Sequence, residues 1–168
     1  DTFHFEMSRL NALASENMPT LPVLVGQLTH RAMAYFCKQG LNPMHAQQWM
    51  HDLLPPLMRQ LHAPYKLHNQ ITTAMEAIIY PLPHDPKAQW ICAPHQEGQQ
   101  EYRLWYRETN TPKLIVIDRT FIDRHGCRWI IDFKTLSSIP NVIDQTFYQQ
   151  NQVKHKAQLH VYRHAFQA

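Results

Sequence analysis

Apolar positions recur with a helical period over the first half of the chain and change period in the second half. Over residues 22–39, Val25, Leu28, Ala32, Tyr35 and Phe36 fall at helical spacing. Thr20 stands where a cap belongs, Pro22 suits a first turn, and Gly40 suits a stop. A second predicted helix follows Asn42 and Pro43 and carries Met44, Trp49, Leu53 and Leu54. Pro55, Pro56 and Pro64 predict an interruption of the next stretch. A third helix, over residues 67–80, presents Ile71, Met75, Ile78 and Ile79 before Pro81. Residues 1–19 carry no period and read as an irregular arm.

Beyond this point the segments shorten and grow rich in β-branched and aromatic residues. Residues 89–92, 101–107, 113–121 and 128–134 read as four strands bounded by Gly, Pro and Asn. The runs Leu114-Ile115-Val116-Ile117 and Trp129-Ile130-Ile131 are continuously apolar, as in strands covered on both faces. A last helix is expected over residues 144–166. Helices, then strands, then a helix predict an α/β domain. Its central sheet should be mixed, mostly antiparallel, of about four strands, flanked by helices.

Composition narrows the function classes. A chain of 168 residues supports one domain with a proper core, spanning residues 1–168. With 44% hydrophobic and 17% charged residues, disorder is disfavoured. No apolar run approaches the ~18 residues of a membrane span, and the first ten residues lack a signal-peptide core. The chain begins with Asp1, which reads as a fragment of a longer polypeptide. Cys37, Cys92 and Cys127 are scattered, with no C-x-x-C. A disulfide framework, a Cys-rich zinc site and an iron–sulfur cluster are disfavoured, and a reducing, cytoplasmic compartment fits. The four glycines have neither P-loop nor G-x-G-x-x-G spacing, so no nucleotide fingerprint is present. No serine sits in G-x-S-x-G, which removes the hydrolase elbow. A net charge of +3 is mildly favourable for nucleic acid.

The chemistry concentrates in one predicted hairpin. Arg124-His125-Gly126 fits a three-residue loop ending in a left-handed glycine, so Asp123 pairs with Cys127. That register sets Asp118 across from Asp132, and Lys134, two residues on, points to the same face. Two opposed carboxylates are destabilising unless something compensates. A divalent cation would do so, and Mg²⁺ favours one or two carboxylates with waters and phosphate oxygens. A lysine beside it can orient the attacking water or neutralise developing charge. The D/E-x-K triplet alone has a plain reading as a surface ion pair; the upstream Asp118 between apolar strands gives it weight.

Ile117-Asp118-Arg119 followed by Trp129-Ile130-Ile131-Asp132-Phe133-Lys134-Thr135 resembles the core of the PD-(D/E)XK nucleases. More narrowly, it resembles the RecB/AddA-type nuclease domain at the C-terminus of bacterial helicase-nucleases. Gly26-Gln27-Leu28-Thr29-His30 is similar to that family's G-x-x-x-H helix motif, and Gln158-Leu159-His160-Val161-Tyr162 to its Q-L-x-x-Y motif. The matches cover residues 21–166 in the family's order. The resemblance implies a restriction-endonuclease-like core. It implies His30, Asp118 and Asp132 as metal ligands with the Phe133 carbonyl as a fourth, and Lys134 as the catalytic lysine. It implies that Gln158 and Tyr162, one turn apart, border the site and the nucleic acid, and that Glu101, or Glu97 in its place, matches an acidic residue on the preceding strand. His155 stands where the family often has an aromatic. The implied cofactor is Mg²⁺, with Mn²⁺ as substitute. The implied partner is DNA, a single strand delivered by a helicase motor in the same chain or a partner subunit.

Other residues carry plainer expectations. Trp49, Trp90, Trp105 and Trp129 are expected to pack rather than stack on bases. Arg119 and Arg124 read either as phosphate contacts or as a solvated hairpin edge. Lys154, His155, Lys156, His160, Arg163 and His164 give the last helix a basic character. Together these point to a metal-dependent DNA nuclease, an exonuclease of double-strand break repair. A non-catalytic DNA-binding or scaffold module and a free-standing endonuclease are the competing readings.

Overall fold

The computed structural model describes residues 18–108, 111–134 and 160–166. Helix α1 (Leu21–Gln39) buries Leu24, Leu28, Ala32 and Phe36, four positions at i, i+4 spacing. The buried stripe is turned slightly from the predicted one. Leu24 and Met33 face inward, while Val25 and Tyr35 are half-buried on its flank. Thr20 occupies the cap position without a side-chain bond, because Pro22 removes one of the two N–H groups such a cap would accept from. Gly40 ends the helix at φ 97° and donates its N–H to Phe36 O.

Asn42 caps α2 (Pro43–Gln48), its side chain accepting from His45 N–H at 2.8 Å. Pro55 and Pro56 do not interrupt the next stretch as expected. A π-helical turn (Trp49–Leu53) widens the ladder so that Leu54 N–H reaches Trp49 O, and α3 (Leu54–Gln60) continues with both prolines in its first turn. The widened turn is where the continuous helix takes up two residues that have no N–H to donate. The turn also drives Trp49 and Leu54 into the core. Helix α4 (His68–Ile79) presents Ile71, Met75 and Ile79, all fully buried, to α1.

The first predicted strand, residues 89–92, is instead the end of helix α5 (Pro86–Cys92). Asp85 caps it, accepting from Lys87 and Ala88 N–H, with Pro86 in the first turn. A short apolar run does not separate a strand from a buried helical turn, and the Asp-Pro start decides it.

Among the described residues the sheet therefore has three strands, not about four, and is antiparallel throughout. They are β1 (Gln96–Glu108), β2 (Thr111–Ile122) and β3 (Arg128–Ile131), in the order β1-β2-β3. The chain is a mixed helix and strand protein with an open antiparallel sheet flanked by helices. The β2–β3 turn follows the predicted form: Gly126 N–H bonds Asp123 O, Asp123 N–H bonds Cys127 O, and Gly126 takes φ 78°. Arg119 faces Ile131 and Phe121 faces Trp129, as the turn requires. The expectation of full coverage fails for the apolar runs. Leu114 and Val116 on β2 and Trp129 on β3 are each more than two-fifths exposed.

Aromatic contacts help fasten the sheet to α5 and the segment that follows it. Trp90 of α5 meets Phe121 and Trp129 edge-on, and His95 stacks on Phe121 at 4.0 Å. Residues 160–166 are helical, bury Tyr162 and Ala165, and stack Phe166 on Tyr102. The remainder of the predicted last helix, residues 144–159, lies outside the described residues. No helix among the described residues is long and apolar enough to cross a membrane.

Candidate functional site

His30 sits on α1 beside the buried Thr29 and Met33, so its ring leaves the helix at the margin of the core. Asp118 sits on β2 between the buried Ile117 and Arg119, facing the other way by strand alternation. The two meet 88 residues apart in sequence, with His30 Nδ1 3.2 Å from Asp118 Oδ1. The second carboxylate oxygen, Oδ2, accepts the Phe133 N–H at 2.7 Å. The Phe133 ring meets the His30 ring edge-on.

Residues 132–134 leave the β3 ladder and fold over Asp118. The β3 ladder ends at the Arg119–Ile131 pair, one step short of the predicted pairing of Asp118 with Asp132. Asp132 Oδ2 holds Lys134 Nζ at 2.8 Å, and Asp132 is the more buried member of that pair. Each acid has thus been given a donor: a peptide N–H for one and an ammonium for the other.

The hydrogen bond to Asp118 raises the His30 pKa above its ordinary value. Partial burial and the Lys134 ammonium oppose this, while the Asp118 charge and the Phe133 carbonyl assist it. Three predicted metal ligands are therefore in contact, the His30 imidazole, the Asp118 carboxylate and the Phe133 peptide, while Asp132 pairs with Lys134 on the adjoining turn. No three His, Cys, Asp or Glu side chains among the described residues are grouped as a closed metal cluster.

The other predicted residues fall differently. Glu101 lies between Gln100 and Tyr102, which pair with Arg119 and Ile117, so the ladder sets it in line with Asp118. It is exposed, adopts φ 50°, and lines a cleft of about 440 Å³ with Arg31, Tyr35 and Gln60. Arg119 is neither a phosphate contact nor a solvated edge. It is 2% exposed and donates to Ile91 O, Ala93 O and Gln100 Oε1. Tyr162 is buried and donates its hydroxyl to Val116 O, two residues from Asp118, which braces β2 beside the site. Gln158 lies outside the described residues.

The sequence pattern assigned no binding role to Arg103, Trp105 or Arg107. Trp105 does not pack as expected; it is 66% exposed. The signal in the sequence was the alternation of Arg, Trp and Arg at every second position of a strand.

No protein-family model, no curated protein and no solved structure matches the chain. The functional reading rests on the residues and their arrangement.

Proposed function

We propose that the chain is a metal-dependent DNA nuclease domain, with His30, Asp118, Asp132 and the Phe133 carbonyl around the metal and Lys134 at the reacting water. The observation that supports this most is the convergence of His30 and Asp118 across 88 residues, with the Asp132–Lys134 pair on the adjoining turn. A helix histidine, a strand aspartate and a D-x-K step are otherwise unrelated in sequence. Their meeting at one end of β2 is what the resemblance to the PD-(D/E)XK nucleases implies.

The donor set fits Mg²⁺ in kind: two carboxylates, a peptide carbonyl and one imidazole, all hard or intermediate donors. The bound ion would supply an acidified water and neutralise charge on a phosphodiester oxygen. The chain's own residues have definite tasks. Asp118 is held in place by the Phe133 N–H, which fixes the carboxylate that must face the ion. The raised pKa of His30 means that a proton competes with any metal for the imidazole, so loading should be favoured at higher pH. Lys134, held by Asp132 at 2.8 Å, would orient the attacking water or neutralise charge developing on the phosphate. Nothing in the site reads bases, so cleavage should depend little on sequence. The resemblance adds a delivery route, a single strand fed by a helicase motor.

The test is cleavage of labelled single-stranded and duplex DNA in Mg²⁺, Mn²⁺ and EDTA by wild type and Lys134→Ala. Metal-dependent cleavage that falls by about 100-fold or more in Lys134→Ala supports the reading. Absence of cleavage together with calorimetric metal binding that is unaffected by Asp118→Ala would instead favour a non-catalytic module.

A further inference from the structure

The face of the sheet that carries Asp118 continues outward along the β1–β2 hairpin. Cross-strand pairs share a face, so the ladder Arg103–Val116, Trp105–Leu114 and Arg107–Pro112 lies on the same side as Glu101 and Asp118. Burial alternates in step. Glu101, Arg103, Trp105 and Arg107 are exposed, whereas Tyr102, Leu104 and Tyr106 are half-buried on the opposite side. An indole with an arginine on either side thus stands on a strip that begins at the candidate site. Neither Arg103 nor Arg107 has an acidic partner among the described residues. Trp105, Leu114 and Val116 form an apolar floor, each more than two-fifths exposed.

A strand rises about 3.4 Å per residue, so same-face neighbours stand about 7 Å apart and the strip runs about 20 Å from Glu101 to Arg107. That step is close to the spacing of successive nucleotides in an extended single strand. An exposed indole is a stacking platform for any base, and flanking guanidiniums pair with phosphates. A protein partner would meet two unneutralised arginines beside a small apolar floor. A polyanion with flat apolar bases matches both features at once.

We infer that the Arg103–Trp105–Arg107 face is a single-stranded nucleic-acid track that leads a strand to the Asp118 end of the sheet. The inference rests on the nuclease reading for its purpose, but its geometry is independent of the metal site. Trp105 stacks on a base, Arg103 and Arg107 hold the phosphates on either side, and the strand runs along β1 towards Glu101.

The test is equilibrium binding of labelled oligo-dT to the full chain in EDTA, where no cleavage can intervene, read by anisotropy and by quenching of indole fluorescence. Trp105→Ala should weaken binding about tenfold, within the range measured for base–aromatic stacking. Arg103→Gln combined with Arg107→Gln should lower the slope of log affinity against log salt by about 1.4, the value for two phosphate contacts. Both side chains project into solvent, so these variants should fold, and circular dichroism verifies that. A wild type that binds while the variants match it in affinity and slope overturns the track and leaves the nuclease reading standing. A wild type with no affinity for the single strand overturns it as well. So does sedimentation showing that Trp105→Ala abolishes self-association without changing DNA affinity, which would mark the face as a contact between copies. The nuclease reading is judged separately, by cleavage in metal with Lys134→Ala.

Discussion

At His30 one side chain joins stability to chemistry. Its pKa is raised in the folded protein chiefly by the hydrogen bond to Asp118. A group whose pKa rises on folding binds its proton more tightly in the folded state. The stabilisation is therefore fully present below the unfolded imidazole value of about 6.5 and is lost as pH climbs through the folded value. In EDTA, urea unfolding of wild type and His30→Asn should differ most near about pH 5.5 and converge towards about pH 9. A gap that stays constant or widens with pH would show that the His30–Asp118 contact does not depend on the imidazolium. The same scale shows what periodicity reveals and what it misses. The turn residues were enough to set the register of β2 against β3 and Lys134 on Asp132's side. They could not show that Phe133, once out of the ladder, turns its N–H onto Asp118. Hydrogen bonds made by a chain leaving a strand depend on where it leaves, and no residue pattern marks that point.

Between elements, Arg119 does what its strand position alone would not suggest. Its guanidinium crosses from β2 to the C-terminal end of α5 and donates to Ile91 O and Ala93 O, with Gln100 Oε1 as a third acceptor. A cation at a helix C-terminus is favoured by the carbonyls gathered there. Gly98 makes room: a Cβ at that position would lie 3.1 Å from Arg119 Nη2. Arg119→Met keeps the stem and removes the donors, leaving two part-buried carbonyls without this partner. It should cost about 2–4 kcal/mol in chemical denaturation, and Arg119→Lys should not restore the loss because an ammonium cannot fork across three acceptors. A loss below about 0.5 kcal/mol would mean that water replaces the arginine without penalty. The sequence offered the same arginine as a phosphate contact, since a charged residue beside a candidate site looks like a ligand group. Its burial follows from α5 being a helix, and the pattern had read residues 89–92 as a strand. One error in element type thus produced a second at a side chain. The prolines show the reverse case, where a strong breaker signal was absorbed by a π-turn that the packing of Trp49 and Leu54 makes worthwhile.

Across the molecule, two regions differ in how they are held. The helical body is built around residues with no exposure, among them Leu24, Leu28, Phe36, Ile71, Met75 and Ile79. Helices α1 and α4 were legible because their apolar stripes had a clear period and Gly40 and Pro81 marked their ends. The extent of coverage over the sheet was not legible, because a run such as Leu114 to Ile117 reads the same whether both faces are covered or one. The outer hairpin, residues 103–107 and 112–116, is held mainly by its own ladder, with one face open. Opening a segment that buries little apolar surface costs less than global unfolding, so its amides should exchange through local opening. Native-state hydrogen exchange should find the amides of residues 103–107 and 113–116 exchanging about 100-fold or more faster than those at the centres of α1 and α4. The inner rungs at Ile117, Arg119 and Phe121, where side chains are wholly enclosed, should follow the helices. Equal protection throughout would mean that the outer face is covered in solution, and a track open to a single strand would then need that cover to move. The predicted gradient instead gives a rigid end holding Asp118 and a compliant end presenting Trp105, with both on one continuous ladder of β1 and β2.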